Sequence, residues 1–258
     1  MPTALIVDDE PEANRLLSML VTLRGYKTTS AFTGGEALDR IDRNPPDVIL
    51  LDLMLPDING FEVCEVVKAN KSTTLIPVVM VTARVAAENR IESYSRGADH
   101  YVAKPYTPDE LFEALDDAED WRRGVRNLDE TTGGEIPFVT SDEDETYRKL
   151  ARLRSVLFAK TPLDIEGVRD FDDALRTLVT DAEAWGKANH ATEIASLTYE
   201  FKTDSVVITL RDIAGWIRND PRPPSQRWPE LTGSSRFDVI EEIREEGILT
   251  LVKRFKGS

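Results

Sequence analysis

The run Val48–Ile49–Leu50–Leu51 delivers one carboxylate, Asp52, before Leu53–Met54–Leu55–Pro56–Asp57 and a turn at Asn59–Gly60. An apolar run bounded by turn residues predicts a strand buried on both faces, as in a parallel sheet. Asp52 then stands at the strand's carboxyl end, where open α/β sheets place their ligands. Taken alone, Asp52 is more simply a turn residue or a helix cap. Three other runs repeat the arrangement. Leu5–Ile6–Val7 ends in Asp8–Asp9–Glu10, Val78–Val79–Met80–Val81 in Thr82, and Tyr101–Val102–Ala103 in Lys104–Pro105. Right-handed crossovers put all carboxyl ends of parallel strands on one side. Carboxylates, a hydroxyl and an ammonium are therefore expected at one sheet edge.

The chemistry open to such a cluster is narrow. Asp8, Asp9 and Asp52 crowded together repel one another, so the site needs a cation to stay ionised. Oxygen ligands with room for water suit Mg²⁺, which binds through one or two carboxylates plus phosphate oxygens. A neutralised carboxylate beside Lys104 can attack phosphorus and form an aspartyl phosphate. Mg²⁺ and Lys104 would stabilise charge on the equatorial oxygens, and the Thr82 hydroxyl can donate a hydrogen bond to them.

These residues resemble the receiver domain of two-component response regulators, a likeness covering residues 1–124. It implies that Asp8 and Asp9 are the Mg²⁺-binding acidic pair, with Asp52 both phosphoacceptor and ligand. Met54 matches the family's backbone-carbonyl ligand, Thr82 and Lys104 its phosphoryl-contacting pair, and Tyr101 its aromatic switch. Lys104–Pro105 matches the family's Lys–Pro step. The resemblance further implies a partner histidine kinase as donor. On phosphorylation Thr82 moves toward the phosphoryl group and Tyr101 turns inward, biasing dimer or interdomain contacts of the fourth helix, fifth strand and fifth helix.

The remaining pattern agrees with a flavodoxin-like, doubly wound (βα)5 parallel sheet. Pro11 suits a first helical turn, Leu16, Leu17, Leu20 and Leu23 form a stripe at helical spacing, and Gly25 fits its end. A second strand is expected over 26–31, and helices over 35–41, 61–68 and 86–95. Thr107–Pro108–Asp109–Glu110 is a capping box that opens a fifth helix. The 258 residues allow two ordinary domains. No apolar run approaches the ~20 residues of a membrane helix, and no secretory leader pattern precedes the first strand. One cysteine, Cys64, excludes an internal disulfide; its apolar neighbours Phe61, Val63, Val66 and Val67 predict a buried thiol. A reducing cytoplasm is the expected location.

Net charge is −15. Residues 1–124 carry 13 Lys and Arg against 22 Asp and Glu, net −9; residues 125–258 carry 19 against 25, net −6. Phosphate contacts require clustered Lys and Arg, and Lys253–Arg254–Lys256 is the one basic cluster, so the balance argues against nucleic acid. Residues 125–145, with Gly133–Gly134 and Asp142–Glu143–Asp144–Glu145, read as an acidic linker.

Residues 146–258 predict a smaller α+β domain. Tyr147, Leu150, Leu153 and Leu157 mark one helix. Phe171, Leu175, Leu178, Val179, Ala182 and Trp185 mark a second. Strands are expected over 195–201, 206–210 and 248–255. A proline-rich loop fills 218–235, and a helix opened by Ser235–Arg236–Phe237–Asp238 runs through Val239, Ile240 and Ile243 to Gly247. Residues 174–258 are similar to the ATP-binding fold of histidine kinases and anti-sigma-factor kinases, but with departures. Trp185 stands at the Mg²⁺-binding Asn position, and Ala214 and Trp216 replace glycines after Asp212, where bulk obstructs nucleotide. Asp212 is more simply a strand-ending turn residue, the tryptophans core residues, and His100 and His190 solvated or capping residues. The expected protein is a phosphorylation-controlled switch whose output domain binds a regulatory protein. It is a phosphoacceptor and not an enzyme. The alternatives are an ATP-dependent kinase or a DNA-binding transcriptional regulator, the latter disfavoured by Glu241, Glu242, Glu245 and Glu246 against Arg236 and Arg244.

Overall fold

The computed structural model describes residues 1–83, 87–126, 133–139, 143–232 and 236–255. Ala86, residues 127–132, Asp142, Ser235 and Lys256, which the sequence reading used, lie outside the described residues. The chain divides into two units, residues 1–127 and 128–258.

The first unit alternates β1 (Thr3–Val7), α1 (Pro11–Leu23), β2 (Lys27–Ala31), α2 (Gly34–Arg43), β3 (Val48–Leu51), α3 (Gly60–Lys68), β4 (Val78–Thr82), α4 (Ala87–Ser95), β5 (His100–Ala103) and α5 (Pro108–Arg126). The strands form one parallel sheet in the order β2-β1-β3-β4-β5. Every residue of β3 and β4 is buried, as their unbroken apolar runs require, and each such Leu or Val contributes about 1.5–3 kcal/mol. The capping box closes reciprocally: Thr107 N–H donates to Glu110 at 2.7 Å and Glu110 N–H to the Thr107 hydroxyl at 3.3 Å. The inward stripe of α1 differs from the one predicted. Asn14, Leu17 and Val21 are buried, whereas Leu16 and Leu23 face outward, because the helix is rotated to place the Asn14 amide against the strand ends.

A buried ion pair braces the opposite edge of this sheet. Lys68, at the end of α3, donates to Asp99 at 2.7 Å and to the carbonyls of Thr74 and Ile76 at 3.1 and 2.9 Å. Asp99 also accepts the Val78 N–H at 2.8 Å, and both side chains are fully buried. Trp121 of α5 lies with its ring centroid 5.6 Å from the ammonium.

The second unit contains β6 (Gly133–Val139), α6 (Glu143–Lys160), α7 (Ile165–Asn189), β7 (Glu193–Phe201), β8 (Ser205–Asp212), α8 (Pro224–Arg227), α9 (Pro229–Thr232), β9 (Val239–Ile243), a 3-10 turn (Arg244–Glu246) and β10 (Ile248–Arg254). Its sheet is antiparallel throughout, in the order β6-β7-β8-β10-β9. Ile136, Phe138, Leu197, Ile208, Leu210, Leu249 and Leu251 are buried with Phe171, Leu175, Leu178 and Val179 of α7. This is the expected α+β layer.

Three expectations are corrected here. Residues 133–139, assigned to the linker, form an edge strand paired with β7, because alternating Ile136 and Phe138 bury there. The proline-rich loop contains two short helices, α8 and α9, each with proline at its first position. The predicted helix from Arg236 to Gly247 is instead β9 and a tight return. Ile243 pairs with Ile248 and Val239 with Val252, and Gly247 turns the chain at φ +66°. The helix on which the ATPase likeness relied is therefore a strand.

Asp212 is the turn residue its position suggested. Its 5% exposed carboxylate accepts the N–H groups of Gly215, Trp216, Ile217 and Arg218 at 2.7–3.0 Å. Trp216 and Trp228 are buried, their rings 5.4 Å apart, and both indole N–H groups donate to Asp181, at 2.9 and 3.1 Å. His190 caps α7 in the left-handed conformation. Asp212→Ala would leave four amides without their charged acceptor and is expected to destabilise this unit by about 3 kcal/mol; a urea midpoint equal to wild type would refute the role.

Candidate phosphoacceptor site

The sheet registers carry the predicted groups to one edge. The Asp52 N–H donates to the Val7 carbonyl at 2.8 Å, the Asp8 N–H to Ala31 at 3.2 Å, and the Lys104 N–H to Thr82 at 2.8 Å. Backbone bonds thus extend the sheet by one residue past each strand and fix where the side chains begin. Asn14, which the sequence reading missed, locks the same corner. Its amide reaches the carbonyls of Ile6, Asp8 and Ala31 at 3.2–3.3 Å. The one signal in the sequence was a polar residue in phase with Leu17 and Val21.

At this edge Lys104 bridges two carboxylates, at 2.7 Å from Asp8 and 2.5 Å from Asp52. Asp8 and Asp52 are 1% and 7% exposed. Each has its other oxygen bonded: Asp8 accepts the Glu10 N–H at 3.0 Å and Asp52 the Met54 N–H at 3.1 Å. Burial opposes the charge on Lys104, but its hydrogen bonds to Asp52 and Asp8 outweigh that effect and hold its pKa above the ordinary lysine value. Thr82 is fully buried at the end of β4. Gly60 is required by close approach: a Cβ there would lie 2.2 Å from the Asp52 carbonyl oxygen.

The other predicted residues are placed less centrally. Asp9 lies on the exposed turn after Asp8, and the Met54 side chain is 54% exposed. Tyr101 is 8% exposed and so already points inward. The peptide bond between Lys104 and Pro105 is cis. Among the described residues, no three acidic, histidine or cysteine side chains converge on one point; two carboxylates do. That donor set fits Mg²⁺, which takes one or two carboxylates and fills the remaining positions with water and phosphate oxygens.

The loop 53–59 is tied to α2. The N–H groups of Gly34 and Gly35 donate to the two oxygens of Asp57, each at 2.8 Å. Bonds from the backbone of Gly35, Ile58 and Gly34 lower the Asp57 pKa to about 2. Its stabilising effect is therefore present above the unfolded carboxyl pKa and lost as pH falls toward 2.

Comparison with known proteins places the sequence in a family. A family model described as the response regulator receiver domain matches residues 4–116. The transcriptional regulatory protein KdpE of Mycobacterium tuberculosis is 34% identical over 253 residues, covering 93% of this chain and 100% of that protein. The chain belongs to the response regulator family. RpaA of Synechocystis, named a DNA-binding dual master transcriptional regulator, is 37% identical to this response regulator over 112 residues, covering 43% of this chain and 46% of that protein. A CheY-like receiver domain protein from Methanospirillum hungatei is 32% identical, with a TM-score of 0.45, over 48% of this chain and 98% of that one. No helix of the response regulator, among the described residues, is long and apolar enough to cross a membrane.

Proposed function

We propose that this response regulator is a cytoplasmic phosphoacceptor that takes a phosphoryl group on Asp52 from a sensor histidine kinase and controls transcription through its second unit. The observation that carries the first part is Lys104 bridging Asp8 and Asp52 at 2.7 and 2.5 Å. An Asp52 carboxylate oxygen, released from its present hydrogen bond to Lys104 or the Met54 N–H, attacks phosphorus as the P–N bond of a phosphohistidine breaks, and the electron pair leaves with the imidazole. Asp8, Asp9, Asp52 and the Met54 carbonyl would hold Mg²⁺, which when bound supplies charge neutralisation on the phosphoryl oxygens. Lys104 contributes a second positive charge, and the Thr82 hydroxyl donates to the same oxygens. Tyr101, the candidate switch residue, lies on β5 and is already buried.

The transcriptional output is supported by the names of KdpE, aligned over its whole length, and RpaA. It revises the expectation drawn from net charge, which averages over the surface. Arg236, Lys253 and Arg254 line one cavity of about 480 Å³ beside the start of α7, where Asp164, Asp170 and Asp238 balance their charge, so the names of the relatives and not a basic patch carry this reading. The acidic balance of residues 125–258 supports a second reading, a protein-binding output. We also propose that the chain is no ATP-dependent enzyme, since residues 236–246 form a strand and a turn where the likeness called for a helix.

Fluorescence anisotropy with DNA upstream of the chain's own gene, with and without acetyl phosphate and Mg²⁺, tests the output. Phosphorylation-enhanced binding that weakens steeply with salt is expected. No binding at low salt would overturn the transcriptional reading in favour of a protein partner.

A further inference from the structure

Asp57 lies five residues beyond the phosphoacceptor and has no place in the chemistry above, yet this exposed carboxylate has both oxygens hydrogen-bonded. A helix leaves its first four N–H groups without intrahelical partners. In α2 the first three helical N–H groups, those of Gly34, Gly35 and Glu36, are accounted for by two sources. Thr33 takes the Glu36 N–H on its hydroxyl at 3.1 Å. Asp57 takes those of Gly34 and Gly35, one per oxygen. Two of these three N–H groups are thus capped by a residue from another segment.

The contact is built on both sides. A Cβ at Gly34 would lie 2.4 Å from Ile58 Cγ1 and 2.8 Å from Val63 Cγ2, so the bare glycine backbone is what admits Ile58. At the base of the same loop, the Gly60 N–H donates to the Leu53 carbonyl at 3.0 Å. Residues 53–59 are therefore clamped at the base by Gly60 and at the tip by Asp57 and Ile58. Met54, whose N–H meets Asp52 at 3.1 Å, lies between the clamps.

We infer that Asp57 is a positioning residue for the phosphoacceptor site, holding residues 53–59 against α2 so that Met54 and Asp52 keep the arrangement that receives Mg²⁺. The inference rests on the proposed role of Asp52 and Met54. Asp57 touches neither metal nor phosphate; it acts through the loop. Supporting groups of this kind alter metal affinity while leaving the ligands in place.

The test measures the Mg²⁺ dissociation constant of the full-length chain by isothermal titration calorimetry, alongside the Mg²⁺ dependence of labelling by acetyl phosphate. Asp57→Ala is expected to weaken Mg²⁺ binding roughly 10-fold and to move half-saturation of labelling equally, with the rate at saturating Mg²⁺ largely retained. Asp57→Asn, which keeps one acceptor oxygen, should fall between that variant and wild type. Thr33→Ala removes the other cap of α2 without touching the loop, so it should lower thermal stability and leave Mg²⁺ binding unchanged. Asp57→Ala binding Mg²⁺ as wild type does, or Thr33→Ala weakening it equally, would overturn the inference. If the wild type binds Mg²⁺ in an Asp57-sensitive way but is not labelled, the positioning role stands and the phosphoacceptor reading falls. A wild-type chain that binds no Mg²⁺ removes both.

Discussion

Asp52→Asn is expected to reduce labelling by acetyl phosphate from near stoichiometric to background, read by intact mass. An amide offers no anionic oxygen to attack phosphorus. The variant should still fold, since the amide oxygen can accept the Met54 N–H as Asp52 does now at 3.1 Å. What it loses is one of the two partners of Lys104. Persistent stoichiometric labelling would place the acceptor elsewhere and remove the central claim.

The second large effect concerns stability. Lys68→Met leaves the Asp99 carboxylate in a fully buried position with its ammonium gone and only the Val78 N–H beside it. Breaking a buried pair by removing one partner costs about 3–5 kcal/mol, because the remaining charge is uncompensated. Replacing both partners together, as Lys68→Met with Asp99→Leu, should recover much of that loss, since the pair is itself expensive to desolvate. Two carbonyls, Thr74 and Ile76, also lose a donor in the single variant, which adds to the cost. Urea denaturation read on the first unit checks this. A single-variant loss near that of a surface pair, about 0–1 kcal/mol, would mean that water reaches the site.

How much of this was legible follows from the range of the interactions. The phosphoacceptor edge could be read because each strand is a local apolar run and each functional residue is its next neighbour. Parallel connectivity then dictates convergence without knowledge of any pairing. Asn14 and Asp57 could not be read that way. Their roles include hydrogen bonds to backbone groups 17 and 22–23 residues away, and the local pattern marks Asn14 only by its phase with Leu17 and Val21 and Asp57 not at all. The second unit failed at β9 for a related reason. Val239, Ile240 and Ile243 fit helical spacing as well as a strand, and pairing with β10 settled the choice. At β6 the acidic flank masked a genuine alternation of Ile136 and Phe138, whose partner strand lies some sixty residues on.

Asp181 joins two indoles at a 5.4 Å ring separation in one unit, while Trp121 is the sole tryptophan of the other. Neighbouring indoles at that spacing, with their planes inclined at 59°, couple their electronic transitions and give a circular-dichroism couplet that a solitary ring cannot. The two halves of the molecule therefore carry distinct optical signatures, and the melting of each can be followed in the intact protein without labels.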